Sequence, residues 1–392
     1  MKRVAIVAAG IVSPLGFGLT ETLACLRSGR DCVTPVSTFD VSKTRCKTAA
    51  QVDDTRLLPR KSSGRRQQRL HRVSHMTIAA LDELRQYSPD FVPEIAMVGT
   101  TSGGMSFGEQ FYRKLNQKSH CAAVWIANYP PQKAIVDALE RFGIDAPAQV
   151  IANACASGTN AIGHAWLGIR SGQYSRVLAG GYDALSELVF VGFDSLQAAT
   201  PEKCRPFDAH RSGMVLGEGA ALLALEEWES AERRGAEILG EIVGYGISTD
   251  NHHLTQPNPD GSGARTAMQA ALTSSGREPE DIGYINAHGT ATLFNDSSEG
   301  KAIGELFNGI PVSSTKSMMG HSLGAAGAIE AIVSLLALKY QFLPPNINFE
   351  KLDPELSLNI VANDAREGEL KYALSNSFGF GGTNASIVLR AA

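Results

Sequence analysis

No apolar run in this chain reaches the roughly 18 uninterrupted residues that a membrane-spanning helix needs, so no membrane partner is expected. Cysteine is scarce. The six (Cys25, Cys32, Cys46, Cys121, Cys155 and Cys204) are scattered without a CxxC pair, which excludes a disulfide-stapled scaffold and fits reduced thiols in a cytoplasmic protein. An excess of positive charge is missing too. Lys and Arg number 36 against 40 Asp and Glu, a formal net charge of −4, whereas a nucleic-acid-binding domain would be basic. There is no low-complexity tail, no GxxxxGK sequence and no GxGxxG after a strand, so these phosphate cradles are not expected. Neither His288 nor His321 is accompanied by HxxxH or carboxylate spacing, and no metal site is expected.

What is present reads as a large soluble enzyme. At 392 residues the chain exceeds the roughly 250–300 at which a single core stops growing. The opening MKRVAIVAAGIVSPLG puts Lys2 and Arg3 before an apolar run, as a secretory signal would. That run is broken by Gly10 and Pro14 and lacks a small-x-small cleavage site, so it reads as a buried first strand. Strand-like runs then alternate with helix-like stretches: 96–100, helices near 104–117 and 131–142, 149–154, a small-residue helix near 158–171, and 176–181. This order predicts a largely parallel sheet covered by helices on both faces. GMVLGEGAALLALEE, from 213, reads as an antiparallel return.

The same plan then repeats. GEIVGYGIST (240–249) echoes VAIVAAGIVS, DIGYINAHGTAT (281–292) echoes EIAMVGTTSGG (94–104), and PVSSTKSMMGHSLGAAGAIEAIVSLLALK (311–339) echoes QVIANACASGTNAIGHAWLGIRSG. Two βαβαβ halves, 1–238 and 239–392, are the simplest division. In such sheets ligands collect at the carboxyl ends of strands, where Cys155, His288, His321 and the glycine turn 379–382 all fall.

Cys155 stands in ACASG between a strand and a small-residue helix. A thiol there feels free backbone N–H groups and the positive end of the helix dipole, both of which favour thiolate. Ala154, Ala156, Ser157 and Gly158 permit a tight turn that exposes an attacking atom. A small buried core residue is the plain alternative for any one cysteine. His288 follows a strand in NAHGTAT and His321 opens a helix in KSMMGHSLG; either alone would pass for a structural histidine. Lys316 and Glu330 flank His321 as an ion pair or as supports that orient the imidazoles. Asp296 and Glu299 read as acids complementing a helix N-terminus. The segment RKSSGRRQQRLHR (60–72) is either a solvated face or a landing patch for an acidic partner.

In their order and spacing, ACASG, NAHGTAT, STKSMMGHSLGAAGAIE and NSFGFGGTN resemble the β-ketoacyl-acyl-carrier-protein synthases, elongating members of the thiolase superfamily. The resemblance runs from VSPLG (12–16) to the C-terminus. It implies a duplicated thiolase-like α/β fold, two βαβαβ halves in an α-β-α-β-α layering, and a homodimer or a heterodimer with a related subunit. It implies decarboxylative Claisen condensation of a Cys-bound acyl chain with malonyl-carrier protein, in fatty-acid, polyene or polyketide synthesis. No free cofactor is implied, because acyl and malonyl thioesters arrive on the phosphopantetheine of an acyl carrier protein.

By position, Cys155 resembles the nucleophile, His288 and His321 the decarboxylating pair, and Lys316 and Glu330 their support. Phe380 resembles a gate whose backbone N–H joins that of Cys155 as an oxyanion hole. Thr290 and Thr292 fall where such enzymes contact pantetheine, Phe107 and Gly108 where they line an acyl pocket, and Lys61, Arg65, Arg66 and Arg69 where they dock the carrier. Three features depart from the pattern: Leu293-Phe294-Asn295 after the histidine, Thr159-Asn160 after the nucleophile, and Gly108, which implies a roomier acyl pocket. A thiolase or initiating synthase, and a non-catalytic chain-length partner, are the competing readings; His321 and Cys155 respectively speak against them.

Overall fold

The computed structural model describes residues 1–57, 70–117 and 123–392. Ten strands carry the fold: β1 (Val4–Ser13), β2 (Ile95–Gly99), β3 (Ala148–Ile151), β4 (Arg176–Asp183), β5 (Gly219–Glu227), β6 (Gly240–Thr249), β7 (Tyr284–Asn286), β8 (Pro311–Ser313), β9 (Tyr372–Gly379) and β10 (Thr383–Ala391). The first five pair in the order β3-β2-β4-β5-β1 and the last five in the order β8-β7-β9-β10-β6, which is the same topology twice. The two sets join where Val4–Ile6 of β1 runs antiparallel to Gly240–Ile242 of β6.

Each half is mixed rather than largely parallel, which corrects the expectation from the βαβ alternation. β2 runs parallel to β3 and β4, but β5 returns antiparallel to both β4 and β1. β7, β8, β9, β10 and β6 repeat this pattern. In the second half the connection itself requires this: the three residues Phe380–Gly382 between β9 and β10 permit only a hairpin. In the first half the corresponding antiparallel strands β4 and β5 are joined by the long segment 184–218.

Burial on both faces explains the unbroken apolar strands. Along β5, Ala221, Leu223 and Leu225 point into one core and Ala220, Leu222 and Ala224 into another. β1 does the same across a bulge between Ile6 and Ala8. The helices Arg72–Tyr87 and Lys133–Arg141 cover the outer face of the first sheet, and Ser262–Ser275 and Leu293–Leu306 that of the second. Between the sheets lie Ser157–Arg170 and Ala326–Tyr340, one from each half, and both contact both sheets. The stretch Leu323–Tyr340 is long and apolar enough to cross a membrane, but 89% of it is buried inside the protein, as a helix packed between two sheets requires.

Small residues set how closely these central helices approach. A Cβ added at Gly158 would stand 2.8 Å from the carbonyl oxygen of Gly324 and 2.9 Å from the backbone nitrogen of Ala328. The Gly/Ala-rich texture therefore lets the N-terminal ends of the two central helices meet, and with them the loops that carry Cys155 and His321.

Candidate active site

Cys155 sits four residues past the end of β3, in a turn whose geometry is strained. Ala154 has φ of 54°, a left-handed conformation that costs a non-glycine residue about 1 kcal/mol or more. The Ala154 carbonyl is held there by the Ser157 backbone N–H at 3.1 Å and the Thr101 hydroxyl at 3.1 Å, and the Ser157 hydroxyl accepts from the Asn153 N–H at 2.9 Å. The turn leaves the Cys155 thiol facing a cavity at the start of the Ser157–Arg170 helix.

His321 arrives from the other half. After β8 the chain forms one helical turn, Lys316–Met319, and then pairs like a strand with residues 215–217: the His321 N–H donates to Val215 O at 2.7 Å and the Gly217 N–H to His321 O at 2.9 Å. His288 follows β7. Its backbone N–H donates to Glu299 Oε1 at 2.8 Å, and the Gly289 N–H donates to Glu299 Oε2, also at 2.8 Å. His321 Nε2 lies 3.0 Å from Cys155 Sγ, and donor atoms of Cys155, His288 and His321 all lie within 4.8 Å of one another. The two imidazole rings meet edge to face, centroids 5.2 Å apart.

Burial dominates the electrostatics. It pushes the Cys155 thiol up to about 12, against the charge of Lys316 and the backbone N–H of Phe380, so the resting group is a thiol. The expected thiolate is corrected here: desolvation outweighs the short-range pull of a helix start. Burial, and then the Lys316 charge, hold both imidazoles well below the usual histidine range, so both are neutral. Lys316 is itself fully buried and ion-paired with Glu330, whose carboxyl burial raises to about 7 despite that partner. By spacing alone the sulfur and the two imidazoles would also suit a metal. The ammonium of Lys316, which already disfavours a proton on either ring, disfavours a cation between them.

Two carboxylates of the site had weak sequence signals. Glu299 and Asp296 read only as acids complementing a helix N-terminus; both are in addition fully buried acceptors. Asp296 takes the N–H groups of Phe207 at 2.7 Å and Ala291 at 3.1 Å, while Glu299 also takes Asn376 Nδ2 at 3.0 Å. Their i,i+3 spacing after NAHGT was the available clue. Asp183 gave none. At the end of β4 it accepts from the backbone of Thr101, Ser102, Gly103 and Gly324, tying the loop after β2 to the chain just beyond His321.

A cavity of about 190 Å³ opens from Cys155 and the two histidines. Phe380 lines it and packs against Phe193, ring centroids 5.5 Å apart. Thr290 and Thr292 line it with their hydroxyls 2.9 Å apart, and Leu293 and Phe294 form its rim at 58% and 55% exposure. Phe107 and Gly108 are not among the described residues lining this cavity. Phe107 packs against His71 and Trp125, and the space a Cβ would take at Gly108 holds the Tyr129 ring, 2.7 Å away. The extra room inferred from Gly108 is corrected on that ground. Thr159 and Asn160 are tied into polar contacts, with Ser377 at 2.8 Å and the Tyr245 hydroxyl at 2.6 Å. Lys61, Arg65, Arg66 and Arg69 lie outside the described residues.

Residues 1–231 match the family description "Beta-ketoacyl synthase, N-terminal domain" and residues 239–350 match "Beta-ketoacyl synthase, C-terminal domain". A 3-oxoacyl-[acyl-carrier-protein] synthase 2 from Synechocystis sp. is 37% identical, over 99% of this chain and 98% of its own. Among solved structures, the ishigamide ketosynthase/chain length factor superposes with a TM-score of 0.92 at 32% identity, over 100% of this chain and 99% of that one. A type II polyketide synthase acyl-carrier protein in complex with its ketosynthase bound to the hexaketide gives 0.90 at 28% identity, over 100% of both chains.

Proposed function

Because the chain belongs to the β-ketoacyl synthase family of acyltransferases, with the duplicated thiolase-like fold, we propose that it joins a Cys155-bound acyl chain to a malonyl unit with loss of CO2. The product is a β-ketoacyl thioester on the carrier protein. The observation that carries this reading is the 3.0 Å contact of His321 Nε2 with Cys155 Sγ, with His288 in the same 4.8 Å cluster.

The chemistry follows from the neutral, buried state of these groups. Cys155 attacks the acyl thioester of the carrier, its proton leaves with the departing thiol, and the backbone N–H groups of Cys155 and Phe380 receive the charge on the carbonyl oxygen. Malonyl thioester then enters. As its carboxylate departs as CO2, the enolate oxygen accepts hydrogen bonds from His288 and His321, and neutral imidazoles provide these donors without a competing charge. The enolate carbon attacks the acyl carbonyl and expels the Cys155 sulfur. Lys316 and Glu330 set the local field. Residues 1–238 thus supply the nucleophile and 239–392 the decarboxylating pair.

Thr290 and Thr292 fit contacts to the pantetheine arm, and Phe380, resting on Phe193, fits a gate over Cys155. The substrates come on the phosphopantetheine of an acyl carrier protein, and no further cofactor is invoked. A second subunit, identical or related, fits the first half. Tyr112, Leu115 and Leu188 expose large apolar side chains on adjoining helices, and among the described residues β3 is the edge strand of the sheet. Free thiols at every described cysteine fit the cytoplasm. The test separates the half-reactions. His321→Ala is expected to lower CO2 release from malonyl-carrier protein far more than acylation of Cys155; equal CO2 release by variant and wild type would remove His321 from the mechanism.

A further inference from the structure

Outside the catalytic cavity one pair of reactive groups stands apart. Cys25, buried in the Leu19–Ser28 helix, and Cys32, half-buried beyond the left-handed Gly29 that ends this helix, place their sulfurs 3.6 Å apart. Both are free thiols. From this juxtaposition we propose that Cys25 and Cys32 form a reversible disulfide on exposure to a hydroperoxide, and that closure is transmitted to the catalytic loop.

The pair is asymmetric in the way that such chemistry needs. A hydrogen bond from the Cys25 thiol, helped by the Arg30 guanidinium, brings Cys32 down to about 7 against its partial burial, whereas the same contact and burial push Cys25 up. Arg30 is held nearby by its bond to Leu15 O at 3.3 Å. The half-buried sulfur is thus the nucleophile and the buried one the resolving thiol. Among the described cysteines the other three, Cys46, Cys155 and Cys204, are all pushed up to about 12, mainly by burial. Among the described cysteines, Cys32 is therefore the thiol that a peroxide meets first.

The steps balance. The Cys32 thiolate attacks the peroxide, the O–O bond breaks, and a sulfenic acid and an alkoxide or hydroxide form. The Cys25 thiol then displaces the sulfenic oxygen, which leaves as water, so the two sulfurs together give two electrons to the peroxide. The sulfurs close from 3.6 Å to the roughly 2.05 Å of a disulfide. A dithiol reverses the change by exchange.

Closure has a path to the site. The backbone N–H of Cys32 donates to Met318 O at 2.9 Å, and Met318 lies in the Lys316–Met319 turn, between the lysine paired with Glu330 and the histidine bonded to Cys155. Moving Cys32 pulls on that turn. This coupling rests on the role proposed for His321; the disulfide does not.

The test uses the whole protein and equimolar hydrogen peroxide. Trypsin cuts at Arg27 and Arg30, between the two cysteines, so a non-reduced digest should yield residues 4–27 linked to 31–43, with two hydrogens lost from the intact mass. The link should vanish with dithiothreitol and be absent in Cys32→Ser, while Cys25→Ser should leave a sulfenic acid on Cys32 that dimedone traps. Oxidation of Cys155 in preference to this pair, or no linked peptide, overturns the proposal. The cross-linked wild type should release CO2 from malonyl thioester about tenfold more slowly, and dithiothreitol should restore the rate. An unchanged rate in cross-linked protein overturns the coupling alone.

Discussion

Replacing Glu299 by glutamine tests whether His288 is held by its backbone. The carboxylate accepts two backbone N–H groups at 2.8 Å and the Asn376 amide at 3.0 Å, all in a fully buried site. Glutamine offers one oxygen and one NH2, so one backbone donor would face another donor. An unpaired buried N–H costs about 1–3 kcal/mol, and part of that cost should appear as displacement of His288. The expected outcome at pH 8 is an unfolding free energy lower by about 2 kcal/mol and CO2 release slowed about tenfold, with acylation of Cys155 little changed. The pH dependence has a definite sign. Burial raises Glu299 to about 7, so the ionised form, which only accepts hydrogen bonds, prevails above that pH, and below it wild type carries a proton on the carboxyl. Native wild type therefore takes up a proton between pH 8 and 6 that the unfolded chain, with an ordinary carboxylate, does not, and the gap in unfolding free energy between Glu299→Gln and wild type should widen over that range. Unchanged stability and unchanged CO2 release at pH 8, measured by urea denaturation and a decarboxylation assay, would refute the reasoning.

Gly158→Ala places a Cβ within 2.9 Å of backbone atoms of the opposing central helix, so denaturation should show a loss of about 1–3 kcal/mol; an unchanged midpoint would mean that the helices are not in contact there. Alkylation by iodoacetamide, followed by peptide mapping over pH 6 to 9, should set in at lower pH at Cys32, which the Cys25 hydrogen bond and Arg30 draw down, and should keep rising at Cys155, whose thiol burial pushes up to about 12. A plateau at Cys155 below pH 8 would show a resting thiolate instead.

Much of this molecule was legible in the sequence because its strands and central helices are covered on both sides. β1 and β5 read as unbroken apolar runs, and the glycines and alanines around Cys155 and His321 mark where the two halves approach. The echo of GEIVGYGIST with VAIVAAGIVS places β6 and β1 in corresponding positions, and these two strands join the sheets. The charge state of Cys155 was not legible. A helix start is visible along the chain, but the burial that opposes it is contributed by distant segments such as Gly379–Phe380 and the His321 loop. Glu299 and Asp183 were misread or missed for a related reason: their partners are backbone N–H groups, which every residue but proline carries and no motif records. Gly108 shows the converse error, since an absent side chain implies room only where no neighbour fills it, and here the Tyr129 ring does.

The most direct measurement is the intact mass of the protein after incubation with an acyl-carrier thioester, with the adduct located by digestion. The acyl group should sit on Cys155, be absent in a folded Cys155→Ala variant, and leave as β-ketoacyl product when malonyl thioester is added. Acylation that persists in Cys155→Ala, or an adduct on Cys155 that malonyl thioester does not discharge, would contradict a nucleophile served by two histidines from the other half of the chain.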